Sequence, residues 1–138
     1  MENPTSEESY KEAKRKAKAF YKTIGRVFCP ALNDYVGFDT AGFHHLIWKQ
    51  KKPRRKNEQM KRFTLLSNVK TIIASSATVT DHHTTVAHYD TYRRGSRKIV
   101  VSRADFWSFT GERNGKAVTV IVRQFKGGTK HFFSMFSK

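Results

Sequence analysis

Residues 104 to 125 read ADFWSFTGERNGKAVTVIVRQF, two runs of alternating apolar and polar residues on either side of Asn114-Gly115. Alternation marks a strand with one covered face, and Asn-Gly takes the left-handed backbone that a two-residue hairpin turn demands. The stretch therefore predicts an antiparallel hairpin. The same period of two recurs in TTVAHYDTY (84 to 92), RKIVVS (97 to 102) and KHFFSMF (130 to 136), with Arg94-Gly95-Ser96 and Gly127-Gly128 as further turns. The expectation for residues 76 to 138 is a meander of four or five antiparallel strands.

Upstream the pattern is helical. From Asn57, the expected N-cap, to about Ser75, the residues Met60, Phe63, Leu66, Val69 and Ile73 fall on one face and predict the main core helix. A short helix, AGFHHLIWK (41 to 49), follows a cap at Asp39 or Thr40 and turns Phe43, Leu46 and Ile47 inward. Residues 26 to 38 place two short apolar stretches around Asn33-Asp34, a small hairpin whose Pro30 restricts it to an edge. Ser6 to about Tyr21 is rich in helix formers, with Ser6 as N-cap, Glu7 and Glu8 in the first turn, and only a narrow apolar stripe. The fold class expected is α+β: N-terminal helices packed on a C-terminal four- to five-stranded antiparallel sheet. The 138 residues suit a single domain, divided into a peripheral helix (1 to 22), a helical part with a basic loop (23 to 75) and the sheet (76 to 138).

Charge narrows the function. The chain carries +16, and residues 13 to 138 hold 26 bases against 7 acids, while residues 1 to 12 hold four acids (Glu2, Glu7, Glu8, Glu12) and one base. Such a density repels itself unless a polyanion discharges it, which points to nucleic acid. The acidic first dozen residues suggest a local inhibitor folded over the basic surface. No apolar run reaches the roughly 20 residues a bilayer requires, and the N-terminus lacks the pattern of a signal peptide, so the expected location is cytoplasmic, without membrane partners. Cys29 is the only cysteine, which excludes an internal disulfide and a multi-cysteine zinc site, and its apolar setting suggests packing. Asp81, His82, His83 and His88 cluster without the spacing of a hydrolytic metal site. P-loop, dinucleotide and serine-hydrolase signatures are also missing. No cofactor and no metal are expected.

Histidine titrates near neutral pH, and the His44-His45 pair stands on the short helix, with Lys49 four residues after His45 and so on the same helical face. His45 and Lys49 would project opposite the apolar face, and His44 would flank it. The segment from Lys49 to Arg62 is the most basic in the chain: Lys49, Lys51, Lys52, Arg54, Arg55, Lys56, Lys61 and Arg62 meet Glu58 alone. It reads as a phosphate-binding edge. On AVTVIVRQF, Arg123 falls on the face opposite Val118, Val120 and Val122. On the last strand, strict alternation puts His131 opposite Ser134.

The residues Gly42-Phe43-His44-His45-Leu46, Lys49, Arg54-Arg55, Asn57-Glu58-Gln59 and Arg62 to Leu66, followed by a meander ending in Lys130-His131-Phe132-Phe133-Ser134-Met135-Phe136, together resemble the barnase-EndoU-colicin-RelE nuclease superfamily, in its phage-type and toxin-type branch. The resemblance spans about residues 35 to 138. It implies helices before a four-stranded antiparallel sheet whose concave face holds RNA, and metal-independent cleavage by the substrate's own 2′-hydroxyl to a cyclic phosphate. Transfer RNA is one target it suggests. It further implies that His45, or its neighbour His44, transfers a proton, that Lys49, Arg62, Arg123 and Ser134 hold the scissile phosphate, and that His131 is a second proton-transfer candidate. Lys51, Lys52, Arg54, Arg55, Lys56, Lys61 and Lys130 would bind RNA. An acidic antitoxin or immunity protein is the partner such a toxin-like ribonuclease would have. The alternative is a non-catalytic RNA- or DNA-binding module on the same basic surface.

Overall fold

The computed structural model describes residues 6 to 49 and 51 to 137. Eleven elements follow one another: α1 (Ser6–Ile24), β1 (Arg26–Cys29), β2 (Asp34–Gly37), α2 (Thr40–Ile47), β3 (Trp48–Lys49), β4 (Lys52–Pro53), α3 (Lys56–Ser75), β5 (Asp81–Arg93), β6 (Ser96–Arg113), β7 (Lys116–Phe125) and β8 (His131–Ser137). The turn chemistry works locally as the sequence implies. Arg94-Gly95 (φ 54° and 79°) and Asn114-Gly115 (φ 52° and 78°) both take the left-handed backbone of two-residue hairpins.

The sheet corrects the expected meander. It is a six-stranded mixed sheet in the order β1-β2-β8-β7-β6-β5, not a four- to five-stranded antiparallel one. Two differences account for this. The early hairpin β1–β2 joins the sheet, with β2 parallel to β8 through Gly37 opposite His131, held by the Gly37 amide donating to the Lys130 carbonyl (2.9 Å). RKIVVS and ADFWSFT are one continuous 18-residue strand, β6, because no turn residue separates them.

Helix ends move as well. α2 stops at Ile47, and Trp48 is extended (φ −113°, ψ 138°), so Lys49 does not share a helical face with His45. Trp48 and Lys49 instead pair with Pro53 and Lys52 in the small β3–β4 sheet. α3 begins one residue before Asn57, and its N-cap is Arg55, whose side chain makes no cap bond. The Asp39 carboxylate does cap α2, accepting from the Gly42 amide at 3.0 Å. The residue preceding Ser6, where a cap on α1 would be judged, lies outside the described residues.

The helices cover one sheet face. Val118, Val120 and Val122 of β7, Phe109 of β6 and Phe132 and Met135 of β8 are fully buried there with Leu66, Val69 and Ile73 of α3, and Leu46 of α2. α1, read as peripheral, adds Ala17, Tyr21 and Ile24 to the same core. Burying such a side chain stabilises by about 1.5–3 kcal/mol, whereas an exposed ion pair contributes roughly 0–1 kcal/mol. Apolar burial therefore joins helices to sheet. Cys29 belongs to this core as a buried free thiol. No helix among the described residues is long and apolar enough to cross a membrane.

α2 approaches β8 closely at Gly42, where a Cβ would meet the Phe132 carbonyl oxygen at 2.7 Å and overlap the Tyr21 hydroxyl. Backbone cannot yield cheaply, so Gly42→Ala is expected to cost about 1–3 kcal/mol of stability. Urea unfolding measures it; an unchanged midpoint would mean that α2 does not sit this near β8.

Candidate active site

β8 departs from strict alternation, and the departure builds the site. Its register runs Val120↔Met135, Ile121↔Ser134, then Val122↔Phe132 and Arg123↔His131, so Phe133 is an extra residue at a bulge. Opposed residues share a face in an antiparallel pair. Phe132 and Met135 therefore both point to the core, three residues apart, while His131 and Ser134 both follow Arg123 and Ile121 to the other face. The expectation that His131 lies opposite Ser134 is thus corrected by one inserted residue.

Arg123 stands at the centre of that face. Its Nε donates to His131 Nε2 at 2.9 Å, and its guanidinium carbon lies 4.5 Å from the Phe125 ring centroid and 4.4 Å from that of Phe133. Because Nε2 accepts, the His131 proton sits on Nδ1, which faces the Thr129 carbonyl at 3.3 Å. Burial, then the Arg123 charge, lower the His131 pKa, opposed by the Thr129 carbonyl and Asp39. Neutral His131 thereby orients the guanidinium. Its lone pair is already used.

From α2, the His45 ring reaches the bulge and rests on Phe133 with centroids 4.3 Å apart. Burial pushes its pKa down to about 4, reinforced by the charges of Arg123, His44, Arg54 and His131. At neutral pH His45 is therefore an uncharged base beside a fixed guanidinium. His44, one residue earlier, is exposed and stacks on Trp48 at 5.7 Å. This reverses the expectation from the helical face, in which His45 projects away from the core and His44 flanks it: His45 is half-buried against β8, and His44 is the one that faces solvent.

Arg54 has a structural post. Its side chain is only 9% exposed, with Nε donating to the His45 carbonyl at 3.0 Å, and its amide donates to the Ile47 carbonyl at 2.7 Å. It fastens the end of α2 that carries His45. Beyond it, Lys49, Lys51, Lys52 and Arg55 are exposed around an open hollow of about 500 Å³. This basic hollow adjoins the His45 end of α2.

Other expected site residues are spent elsewhere. Arg62 donates to the Met135 carbonyl, on a β8 residue of the core face, and its Nε is buried without a partner. Lys61 lines the small cleft beside Arg62. Lys56 pairs with Glu7 at 2.5 Å, and Lys130 pairs with Asp34 at 2.9 Å while lying over the Trp107 ring. Of the acidic N-terminus, Glu7, Glu8 and Glu12 lie in α1, and Glu12 pairs with Arg15 of the same helix; residues 1 to 5 lie outside the described residues. Among the former metal candidates, His82 meets Asp105 at 2.9 Å and stacks on Trp107, and His83 meets Asp81 at 3.5 Å and stacks on Phe106. No group of three or more such ligands is arranged to hold a metal among the described residues.

Sequence reading missed the aromatic frame: Phe133 under His45, Phe125 under Arg123, Phe106 edge-on to Phe133 at 5.5 Å, and Tyr89 against Phe125 at 4.7 Å. Aromatics in a strand read as core, and only the bulge shows that Phe133 leaves it. Set against protein-family models, curated proteins and solved structures, the chain matches none.

Proposed function

We propose that this protein is a metal-independent, toxin-like endoribonuclease that cleaves RNA through attack of the substrate's 2′-hydroxyl, leaving a cyclic phosphate. The observation that carries this reading is the pairing of a neutral imidazole, His45, with the aromatic-clamped, His131-oriented guanidinium of Arg123. Cleavage of this kind needs a base for the 2′-hydroxyl and fixed positive charge on the phosphorane-like transition state, and no electron transfer or external nucleophile. His45 takes the 2′-hydroxyl proton. The oxygen so freed attacks the adjacent phosphorus, the bond to the 5′-oxygen breaks as that oxygen takes a proton from solvent water, and the charge on the non-bridging oxygens rests on Arg123. Ser134, on the Arg123 face, is a further donor to that phosphate. The exposed bases around the β3–β4 hollow take neighbouring phosphates, which positions RNA without reading its sequence. The resemblance to the barnase-EndoU-colicin-RelE superfamily supports the same reading, as does the charge of +16, which suits both RNA and an acidic inhibitor protein.

A second reading has one observation in its favour. His131 Nε2 is occupied by Arg123, which leaves His45 as the one imidazole of the site free to move protons and suits an RNA-binding module that no longer cuts. Incubating a labelled oligoribonucleotide with the protein in EDTA separates the two. Fragments ending in cyclic phosphate are expected; a gel shift without fragments would favour the binding module.

The pH profile follows from His45. As a base it must be unprotonated, so kcat/KM is expected to be flat near neutrality and to fall only as pH drops through about 4. The sign for folding is the same: a histidine lowered from 6.5 to about 4 contributes stability above pH 6.5, and that contribution is lost as pH falls toward about 4. A rate profile bending near 6.5 would mean that His45 is solvated and is not the buried base.

A further inference from the structure

β5 forms one margin of the sheet. It pairs with β6 along its whole length, from Asp81↔Ser108 to Arg93↔Ser96, and among the described residues no strand lies on its other side. Past Ala104, where β7 stops pairing with β6, the two strands continue as a ribbon. Two-stranded ribbons are marginal alone in water. This one exposes Val86 (58%), Tyr92 (71%), Ile99 (56%) and Val101 (58%).

The Arg94-Gly95 turn fixes the phase of the ladder. Arg93 and Ser96 flank it as a bonded pair, so odd-numbered β5 residues bond to β6, and even-numbered ones from His82 to Tyr92 aim N–H and C=O outward. Natural edge strands are usually blunted by shortness, proline, lysine or a bulge. β1, at the opposite margin, has four residues and is followed by Pro30. β5 has 13 residues, with no proline, no lysine and an unbroken register. Its charge is also unlike the rest of the chain. DHHTTVAHYDTYR carries two acids and one base in a protein of +16, so the strand itself adds no net positive charge to oppose a second copy.

We propose that β5 is the interface between two copies of this chain, paired antiparallel about a twofold axis at Ala87, so that the two sheets become continuous. The axis sets outward-bonding residues against one another: Val86 meets the His88 of the second copy, Thr84 meets Asp90, and His82 meets Tyr92. Arg97, Lys98 and Arg103, on β6, stay three strand spacings from their counterparts, about 14 Å, beyond the ~8 Å over which physiological salt leaves charges effective. The axis stands perpendicular to the sheet, so both Arg123 faces open on the same side.

Sedimentation of the full chain, free of RNA, tests this between about 1 and 100 μM. At the upper end the expected mass is twice 16.0 kDa. His88→Pro removes an outward N–H and leaves the β5–β6 ladder intact, and Val86→Lys places a charge in the interface. Each is expected to weaken association at least ~100-fold with unchanged circular dichroism. Should His88→Pro disturb the fold, Val86→Lys decides alone. Wild-type protein at 16.0 kDa throughout, or a folded Val86→Lys that still pairs, would overturn the proposal.

Discussion

Replacing His45 with Ala is expected to lower RNA cleavage about 10²–10⁴-fold, the usual worth of a positioned general base, while RNA affinity changes little. The separation of the two effects follows from the charge state of the residue. An imidazole with a pKa pushed down to about 4 is neutral at pH 7, so it adds no attraction for phosphate in the ground state. Its contribution arises only when it accepts a proton, and the developing imidazolium is then stabilised by the dianionic phosphorane that Arg123 also holds. Initial rates and fluorescence anisotropy on one oligoribonucleotide give both quantities. Equal losses in rate and affinity would make His45 a binding residue, and an unchanged rate would remove it from the mechanism.

Arg123→Ala is expected to reduce kcat by about 10²–10³, the range seen when one preorganised transition-state donor is removed, with a smaller rise in KM. The guanidinium is fixed before substrate arrives: Phe125 and Phe133 hold its plane and His131 accepts its Nε proton, leaving its other N–H groups for the phosphate. Arg123→Lys is expected to recover little, because an ammonium can neither lie flat between the rings nor keep the His131 bond while reaching the substrate. His131 acts through Arg123, which gives a second signature. His131→Ala should cost less than Arg123→Ala, and the double variant should be no worse than Arg123→Ala alone. Additive losses would show instead that His131 contacts substrate as an independent proton-transfer group.

The legible parts of the fold were those written in local chemistry. Asn114-Gly115 and Arg94-Gly95 announce their turns, and Val118, Val120 and Val122 announce the covered face of β7. The parallel junction of β2 with β8 was not legible, because it rests on one pair, Gly37 and His131, that no local period encodes. At the site, His45, Arg123 and His131 were singled out by residue type together with the family resemblance, and the structure brings these three around Phe133 and Arg123. The agent that does so is the bulge at Phe133, which reverses the face of His131 while leaving HFFSMF outwardly regular. Arg62 and Arg54 were misread for a common reason: a guanidinium that bonds a backbone carbonyl looks, in sequence, like one that waits for phosphate. Lys49 was misplaced because α2 ends at Ile47 without a glycine or proline to mark its end.

The most direct test of a phosphate seat between His45 and Arg123 is to follow the His45 imidazole by NMR across pH, with and without a ribonucleoside 3′-phosphate. In the free protein the midpoint is expected near the depressed value of about 4, and bound phosphate should raise it toward the ordinary 6.5, an effect lost in Arg123→Gln. A ligand that binds but leaves the His45 midpoint where it was would contradict the account.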